Sequence, residues 1–385
     1  MVDLLDSTLR EGEQTRGVAF ALEDKLAIAR ALETLGVRYI EAGHPAVSRR
    51  IAEAVRAVAG LGLEADIFAH ARALRSDVDA ALACDVDWVG IFFSVADRRL
   101  EQQFRKDEAQ ATALVTDVVR YAKDHGLKVR YTPEDTVRSD FGRVVRVARA
   151  AVEAGADRIS VADTTGVMTP ARMHAFMATL GKEVPAPLHA HCHNDLGLGV
   201  ANALAAAEAG AAVLDGCVNG LGERAGIADT ATLATALTLQ GHATFDLTVL
   251  PALAELVGRA STIPVHPLAP IVGRNAFSHN AGLHVAAVLQ NPEHYESIPA
   301  HRVGRERYIV VDQFSGRDAV RHRLLALGAQ AADAEVDWVL RAVKERGLND
   351  VADGDLALLL LEAQGAARAS EGPTGPRPHL AAGVR

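Results

Sequence analysis

From residue 4 to about residue 240 the chain repeats one pattern eight times. A short apolar, β-rich run is followed by an Ala-, Leu- and Val-rich segment with helical spacing, and glycine falls near the helix end. The runs are Leu4–Leu9, Tyr39–Gly43, Asp66–His70, Trp88–Ser94, Lys128–Pro133, Arg158–Asp163, Leu188–His193 and Leu214–Asn219. Helical spacing covers intervening stretches such as Leu22–Leu35, Ile51–Gly60, Gln110–His125, Phe141–Ala154, Pro170–Leu180 and Gly199–Ala207. In Leu35-Gly36-Val37, Ala154-Gly155-Ala156 and Ala209-Gly210-Ala211 the glycine stands where a helix cap needs a left-handed residue. Strands alternating with helices make a parallel sheet. Eight strands close a barrel, although alternation alone is shared with an open doubly wound sheet.

Polar residues separate the two architectures. Asp6, Arg10 and Glu11, Glu41, His70, Arg130 and Glu134, Asp163 and Thr164, His191 and His193, then Asn219, Glu223 and Arg224 all fall at C-terminal strand ends. A barrel collects its active site from those ends, whereas an open sheet collects only the strands at its switch point. The reading is α/β: a (β/α)8 TIM barrel over residues 1–262 with a C-terminal arm and a small helical appendage. The arm, 263–312, opens with Pro264, Pro267 and Pro270 and carries His279, His284, His294 and His301. Asp318–Leu327, Ala334–Arg346 and Asp353–Gln364 read as helices of the appendage, 313–365. From Ala366 to residue 385 the chain is rich in Gly, Pro, Ala and Arg without an apolar period, and a disordered tail is expected.

The formal charge of −9, with no long basic run, excludes a nucleic-acid partner. Cys84, Cys192 and Cys217 are too few and scattered for a disulfide framework or a thiolate zinc site. No apolar run reaches the roughly 18–20 residues of a membrane span. The chain enters at once into Val2–Leu5, without a basic region before an apolar one, so a cytoplasmic protein without membrane contact is expected.

Two motifs carry chemistry. In His191-Cys192-His193-Asn194-Asp195, the two histidines stand at i and i+2 of a strand and point to one side. They suit one metal ion, with Asn194 and Asp195 behind them. An isolated His-x-His fits two ordinary hydrogen-bonding histidines equally well. His189 shares their parity but sits deeper and reads as core-filling. Asp6-Ser7-Thr8-Leu9-Arg10-Glu11-Gly12-Glu13-Gln14 follows the first strand. Glu11 is the candidate carboxylate to complete the metal site, and Arg10 is a fixed-charge fork for a carboxylate or an alkoxide. Taken alone, this stretch also fits a capped helix start.

These two motifs occur in register with Glu134-Asp135, Ala162-Asp163-Thr164 and Asn219-Gly220-Leu221-Gly222-Glu223-Arg224. The sequence resembles the homocitrate synthase and 2-isopropylmalate synthase group of acyltransferases, whose barrel belongs with the aldolase-like metal-dependent lyases. The resemblance runs to about residue 330 and includes Phe277–His284 and Arg307-Tyr308. It implies that Glu11, His191 and His193 hold one divalent ion (Zn, Mn, Mg or Co) and that acetyl-CoA is the co-substrate of a 2-oxo acid. It implies that Arg10 stabilises the alkoxide, with Gln14 beside it at the substrate. Glu134 and His284 would together take a proton from the acetyl methyl, His284 coming from the partner subunit of a domain-swapped homodimer and Tyr308 joining them. Thr164 would bind the substrate's 1-carboxylate.

An aliphatic 2-oxo acid needs an apolar wall at its far end, whereas 2-oxoglutarate needs cations and donors. His70 ends the third strand, and Arg130 and Thr132 share one face of the fifth. In homocitrate synthases a His, an Arg and a Ser at these places bind the distal carboxylate, so the resemblance points to 2-oxoglutarate. An unpaired Arg130 would be costly without an anion, and a salt bridge to Glu134 or Asp163 is the competing reading. Glu11 and Ile227 also follow the homocitrate pattern, since isopropylmalate enzymes have Asp and a ligating Asn there. Asn219–Gly226 otherwise looks more like the isopropylmalate or nitrogen-fixation homocitrate type. Glu41-Ala42-Gly43-His44-Pro45 departs from the usual homocitrate stretch and adds His44 near the site. Phosphonopyruvate, oxaloacetate, pyruvate and 2-oxoisovalerate therefore stay open as substrates. A metal-dependent aldolase without acetyl-CoA, and a silent metabolite-binding protein on the same fold, are the rival classes.

Overall fold

The computed structural model describes residues 1–370 and has two compact units, Met1–Ala276 and a second from Phe277 onward. In the first unit eight parallel strands close in chain order: β1 (Asp3–Asp6), β2 (Tyr39–Gly43), β3 (Asp66–Arg72), β4 (Trp88–Phe92), β5 (Lys128–Thr132), β6 (Arg158–Asp163), β7 (Leu188–Cys192) and β8 (Val213–Gly216). Pairing of β8 with β1, from Asp3 opposite Val213 to Asp6 opposite Gly216, leaves this sheet without a free edge. Around it run α1 (Leu22–Leu35), α2 (Arg49–Ala59), α3 (Arg75–Leu82), α4 (Glu108–Asp124), α5 (Phe141–Glu153), α6 (Pro170–Glu183), α7 (Gly199–Glu208), α8 (Thr230–Leu239) and α9 (Leu250–Ser261). This is a (β/α)8 TIM barrel, as the alternation predicts. No helix of the described residues is long and apolar enough to cross a membrane.

Strand parity builds the interior. Val129, Tyr131, Ile159 and Val161 are buried and alternate with Arg130, Thr132, Ser160 and Ala162, which line the barrel pocket. Beneath that pocket Leu5, Tyr39, Phe68, Trp88 and Val213 form an apolar floor. Arg158 lies over the Tyr39 and Trp88 rings at 4.6 and 4.7 Å and donates to the Tyr39 hydroxyl at 2.9 Å, so its charge is spread over two π faces. Burying each large apolar side chain contributes about 1.5–3 kcal/mol, which makes this floor a rigid base for the polar layer above. The helix-ending glycines Gly36, Gly155 and Gly210 have φ of +94°, +112° and +98°, the left-handed conformation expected of them.

Two strands stop three residues short of the apolar runs. β1 stops at Asp6 because the Ser7 carbonyl then accepts the N–H groups of Arg10, Glu11 and Gly12 in a tight turn. Leu9 remains fully buried, so its apolar character reflects an anchored turn rather than a strand. β8 ends at Gly216, where a Cβ would meet the Thr230 hydroxyl at 2.6 Å.

In the second unit, β9 (Ser278–His279) pairs with β10 (Tyr308–Ile309), followed by α11 (Arg317–Ala326), α12 (Asp333–Glu345) and α13 (Asp353–Ser370). An additional helix, α10 (Gly282–Gln290), places Val285 and Val288 in one core with Ile309, Val320 and Val339. The unit boundary at Ala276–Phe277 therefore falls inside the stretch read as an arm. α13 continues to Ser370, five residues into the segment expected to be disordered from Ala366; the remainder of that segment lies outside the described residues.

Candidate active site

The tight turn after β1 presents Arg10 and Glu11 side by side, and their side chains form an ion pair. At the end of β7, His191 and His193 face the same pocket. Candidate ligand atoms of Glu11, His191 and His193 all lie within 4.8 Å of one another. The two Nε2 atoms are 3.2 Å apart. His191 Nδ1 donates to Asp215 Oδ2 at 2.7 Å, which leaves the Nε2 lone pair directed at the site. His193 Nδ1 is buried without a hydrogen-bond partner. Burial, with the neighbouring His191, brings His193 down to about 4, so its ring is neutral. Two imidazoles and a carboxylate with open positions fit a divalent ion of the Zn, Mn, Mg or Co type.

Asp215, which the sequence reading passed over, joins two histidines. It also bonds His189 Nε2 at 2.7 Å. His189 is fully buried and outside the metal triad, as the core-filling reading has it, and its bond to Asp215 ties it to the layer beneath the site. A carboxylate inside the apolar run Val213-Leu214-Asp215 was the available signal.

Glu41 is the second hub. Its fully buried carboxylate accepts from Ser7 Oγ at 2.7 Å, Arg10 Nε at 2.6 Å, Arg130 at 2.8 Å and His70 Nδ1 at 3.2 Å. Burial alone would raise Glu41, but Arg10, Arg130 and His70 outweigh it and hold the carboxyl well below its ordinary range. Arg130 is accordingly paired with Glu41, not with Glu134 or Asp163 as the competing reading had it. Its hydrogen bonding is incomplete: Arg130 Nε and Nη1 and Thr132 Oγ1 are buried without hydrogen-bond partners, although Nη1 also lies 3.8 Å from Asp215 Oδ1 in a second ion pair. His70 stacks on Phe92 with centroids 4.6 Å apart, and burial and Arg10 bring it down to about 4. His44 stands edge-on to His70 and bonds Asp77 at 2.9 Å, which makes it a support of His70.

Glu134 reaches the same pocket and pairs with Arg99 at 3.1 Å. Burial raises its carboxyl, Arg99 opposes the rise, and Asp135 and Glu223 add to it. Gln14 accepts from Arg10 at 3.3 Å. The Thr164 hydroxyl accepts the Asp135 N–H at 2.9 Å, and its own proton remains available. Arg10, Glu11, Gln14, His70, Arg130, Thr132, Glu134, Thr164, His191 and His193 line one pocket of about 220 Å³. Its lining has two guanidinium groups, of Arg10 and Arg130, and four carboxyls, of Glu11, Glu134, Asp215 and Glu223.

Other polar strand-end residues serve the scaffold. Asp6 accepts from Thr8 N–H and the Thr230 hydroxyl, and Asp163 accepts the Val167 and Met168 N–H groups. Asn219 donates to the Ala254 carbonyl, and Asp195 clasps Arg224. In the second unit, His284 stacks on Tyr295 at 4.1 Å, and the Tyr308 hydroxyl bonds Asp350 at 3.1 Å.

A homocitrate synthase of Pyrococcus horikoshii is 48% identical over 329 residues, covering 84% of this chain and 90% of the relative. The chain belongs to the homocitrate synthase family. A homocitrate synthase of Sulfurisphaera tokodaii is 43% identical over 349 residues, 89% of this chain and 76% of that relative. Residues 1–257 match the HMGL-like family, and residues 271–350 match the homocitrate synthase post-HMGL domain-like family. The family's members are acyltransferases, and this chain is an enzyme of that class. Among solved structures, a hydroxymethylglutaryl-CoA lyase of Pseudomonas aeruginosa superposes with a TM-score of 0.59 at 24% identity, covering 67% of this chain and 92% of that one. An HMG-CoA lyase of Brucella melitensis gives 0.58 at 23%, covering 68% and 99%. These two likenesses concern the barrel fold.

Proposed function

We propose that this enzyme condenses the acetyl group of acetyl-CoA with 2-oxoglutarate and hydrolyses the thioester, giving homocitrate and CoA. The observation that carries the reading is one pocket with a candidate metal-binding triad at one wall and, at another, Arg130 and Thr132 with buried polar atoms that lack hydrogen-bond partners. A 2-oxo dicarboxylic acid has matching ends. Its 2-oxo acid group faces Glu11, His191, His193 and Arg10, and its distal carboxylate faces Arg130, Thr132 and His70.

When bound by Glu11, His191 and His193, a divalent ion supplies Lewis-acid polarisation of the 2-oxo carbonyl and offsets the excess of carboxyls in the lining. Glu134 takes a proton from the acetyl methyl, aided by His284 and Tyr308 from the partner subunit of a homodimer. The methyl carbon bonds to the carbonyl carbon, and Arg10 stabilises the oxygen that receives the electron pair. Arg10 is held for this by Glu41, Glu11 and Gln14, which engage its Nε and Nη1. Thr164 holds the 1-carboxylate. Water then attacks the thioester carbon and the C–S bond breaks, which drives the reaction forward. The test is kcat/KM with acetyl-CoA and a panel of 2-oxo acids. 2-Oxoglutarate is expected to lead, with homocitrate identified by mass. A lead by pyruvate or 2-oxoisovalerate would remove the distal-carboxylate assignment.

A further inference from the structure

We propose that Arg99 is a positioning residue for the condensation, holding the Glu134 carboxylate ionised and turned into the pocket so that it can accept the acetyl proton. This rests on Glu134 being the base. Arg99 opens the six-residue π-helical turn Arg99–Phe104 that follows β4. A π turn is rare and is frequently found at functional sites. Here it brings a guanidinium on the segment after β4 to a carboxylate on the segment after β5, at 3.1 Å. The turn is anchored: Leu100 is buried, and the Phe104 ring packs on Phe93 at 4.5 Å. It closes on Arg105 in the left-handed conformation, with φ +50°, unusual for a non-glycine residue. Ser94 Oγ, in the strand-to-turn link, donates to the Glu134 carbonyl at 2.9 Å and fixes the backbone that carries the carboxyl.

The charge balance around Glu134 makes this contact decisive. Asp135 next in the chain and Glu223 from the segment after β8 are acidic, and both disfavour a second negative charge. Asp135 is itself neutralised by Arg138 at 2.6 Å. Among the charged groups acting on Glu134, Arg99 is the cation. A half-buried carboxyl beside two acids and no cation holds its proton more tightly, and the protonated form does not serve as a base.

The experiment measures kcat against pH from 5.5 to 9 for wild type, Arg99→Ala, Arg99→Lys and Glu134→Gln, with acetyl-CoA and 2-oxoglutarate. Circular dichroism melting confirms that each variant folds. Removal of an opposite charge at this distance moves a carboxyl up by about 1–3 pH units. Arg99→Ala is therefore expected to shift the acid limb of the profile upward by at least one unit and to regain most of the wild-type rate at the alkaline end, and Arg99→Lys is expected to restore the limb. A rate lowered by the same factor at every pH, or an unmoved limb, overturns the proposal. Retention of most of the rate by Glu134→Gln overturns the assignment of the base instead, so the two failures are told apart.

Discussion

Asp215 Oδ2 lies 2.7 Å from His191 Nδ1, and the opposite nitrogen of that ring faces His193 across 3.2 Å. The carboxylate fixes the tautomer, so the lone pair and not a proton points at the candidate metal position. Carboxylates behind a metal-binding histidine typically govern about 10–100-fold in metal affinity. Asp215→Asn is expected to weaken divalent-ion binding by a factor in that range, read by titration calorimetry on metal-stripped protein. Unchanged affinity would detach Asp215 from the metal site.

Arg130→Ala should raise KM for 2-oxoglutarate by about 10–100-fold, the equivalent of one hydrogen-bonded charge contact. The KM for pyruvate and 2-oxoisovalerate should move far less, since neither carries a distal carboxylate. Equal effects on all three acids would refute the distal pocket.

Glu134→Ala is expected to lower kcat by at least about 100-fold, the usual contribution of a general base. Metal content should stay at the wild-type level, because Glu134 is outside the Glu11, His191 and His193 triad. Metal analysis and steady-state rates on the same sample check both halves.

Metal-stripped protein should lose stability as pH falls from 6.5 towards 4. Burial brings His70, His189 and His193 each down to about 4, so between these limits the unfolded imidazoles bind protons that the folded ones do not. Asp6, raised to about 6 by burial, and the raised carboxyls of Glu134 and Asp229 act in the other direction, because the folded state then holds the extra proton. The lowered His322 and the lowered carboxyls of Glu11, Glu41 and Asp215 add to the loss and tip the balance. Melting temperature measured from pH 7.5 to 4.5 should fall monotonically, and a flat or rising curve would contradict this balance.

If His284 and Tyr308 come from the partner subunit, two inactive variants should complement. Random mixing of His193→Ala with His284→Ala protomers should restore about one quarter of the wild-type rate, since half the dimers are mixed and each has one intact site. No recovery after subunit exchange would place both residues in their own chain's site or outside catalysis.

Much of this was legible in the sequence wherever one strand carries the pattern. The i, i+2 parity of His191 with His193, and of Arg130 with Thr132, is local and puts each pair on one wall of the pocket. What escaped depends on contacts between strands. Glu41 meets His70, Arg10 and Arg130 across 29, 31 and 89 residues, and no period in the chain announces that one buried carboxylate serves them all. The same is true of Asp215, 24 residues from His191. Arg99 sits on a π turn, whose spacing matches neither a strand nor an α-helix. Asp6, Asp163 and Asn219 are the reverse case: polar residues at strand ends that hold loops rather than substrate.

The central claim is a metal-dependent condensation of acetyl-CoA with a 2-oxo acid. Its most direct test is CoA thiol release by metal-stripped and metal-restored enzyme, with and without 2-oxoglutarate. Release is expected only when acetyl-CoA, the 2-oxo acid and a divalent ion are all present. Release undiminished after stripping, or none from restored enzyme with any 2-oxo acid, would contradict it.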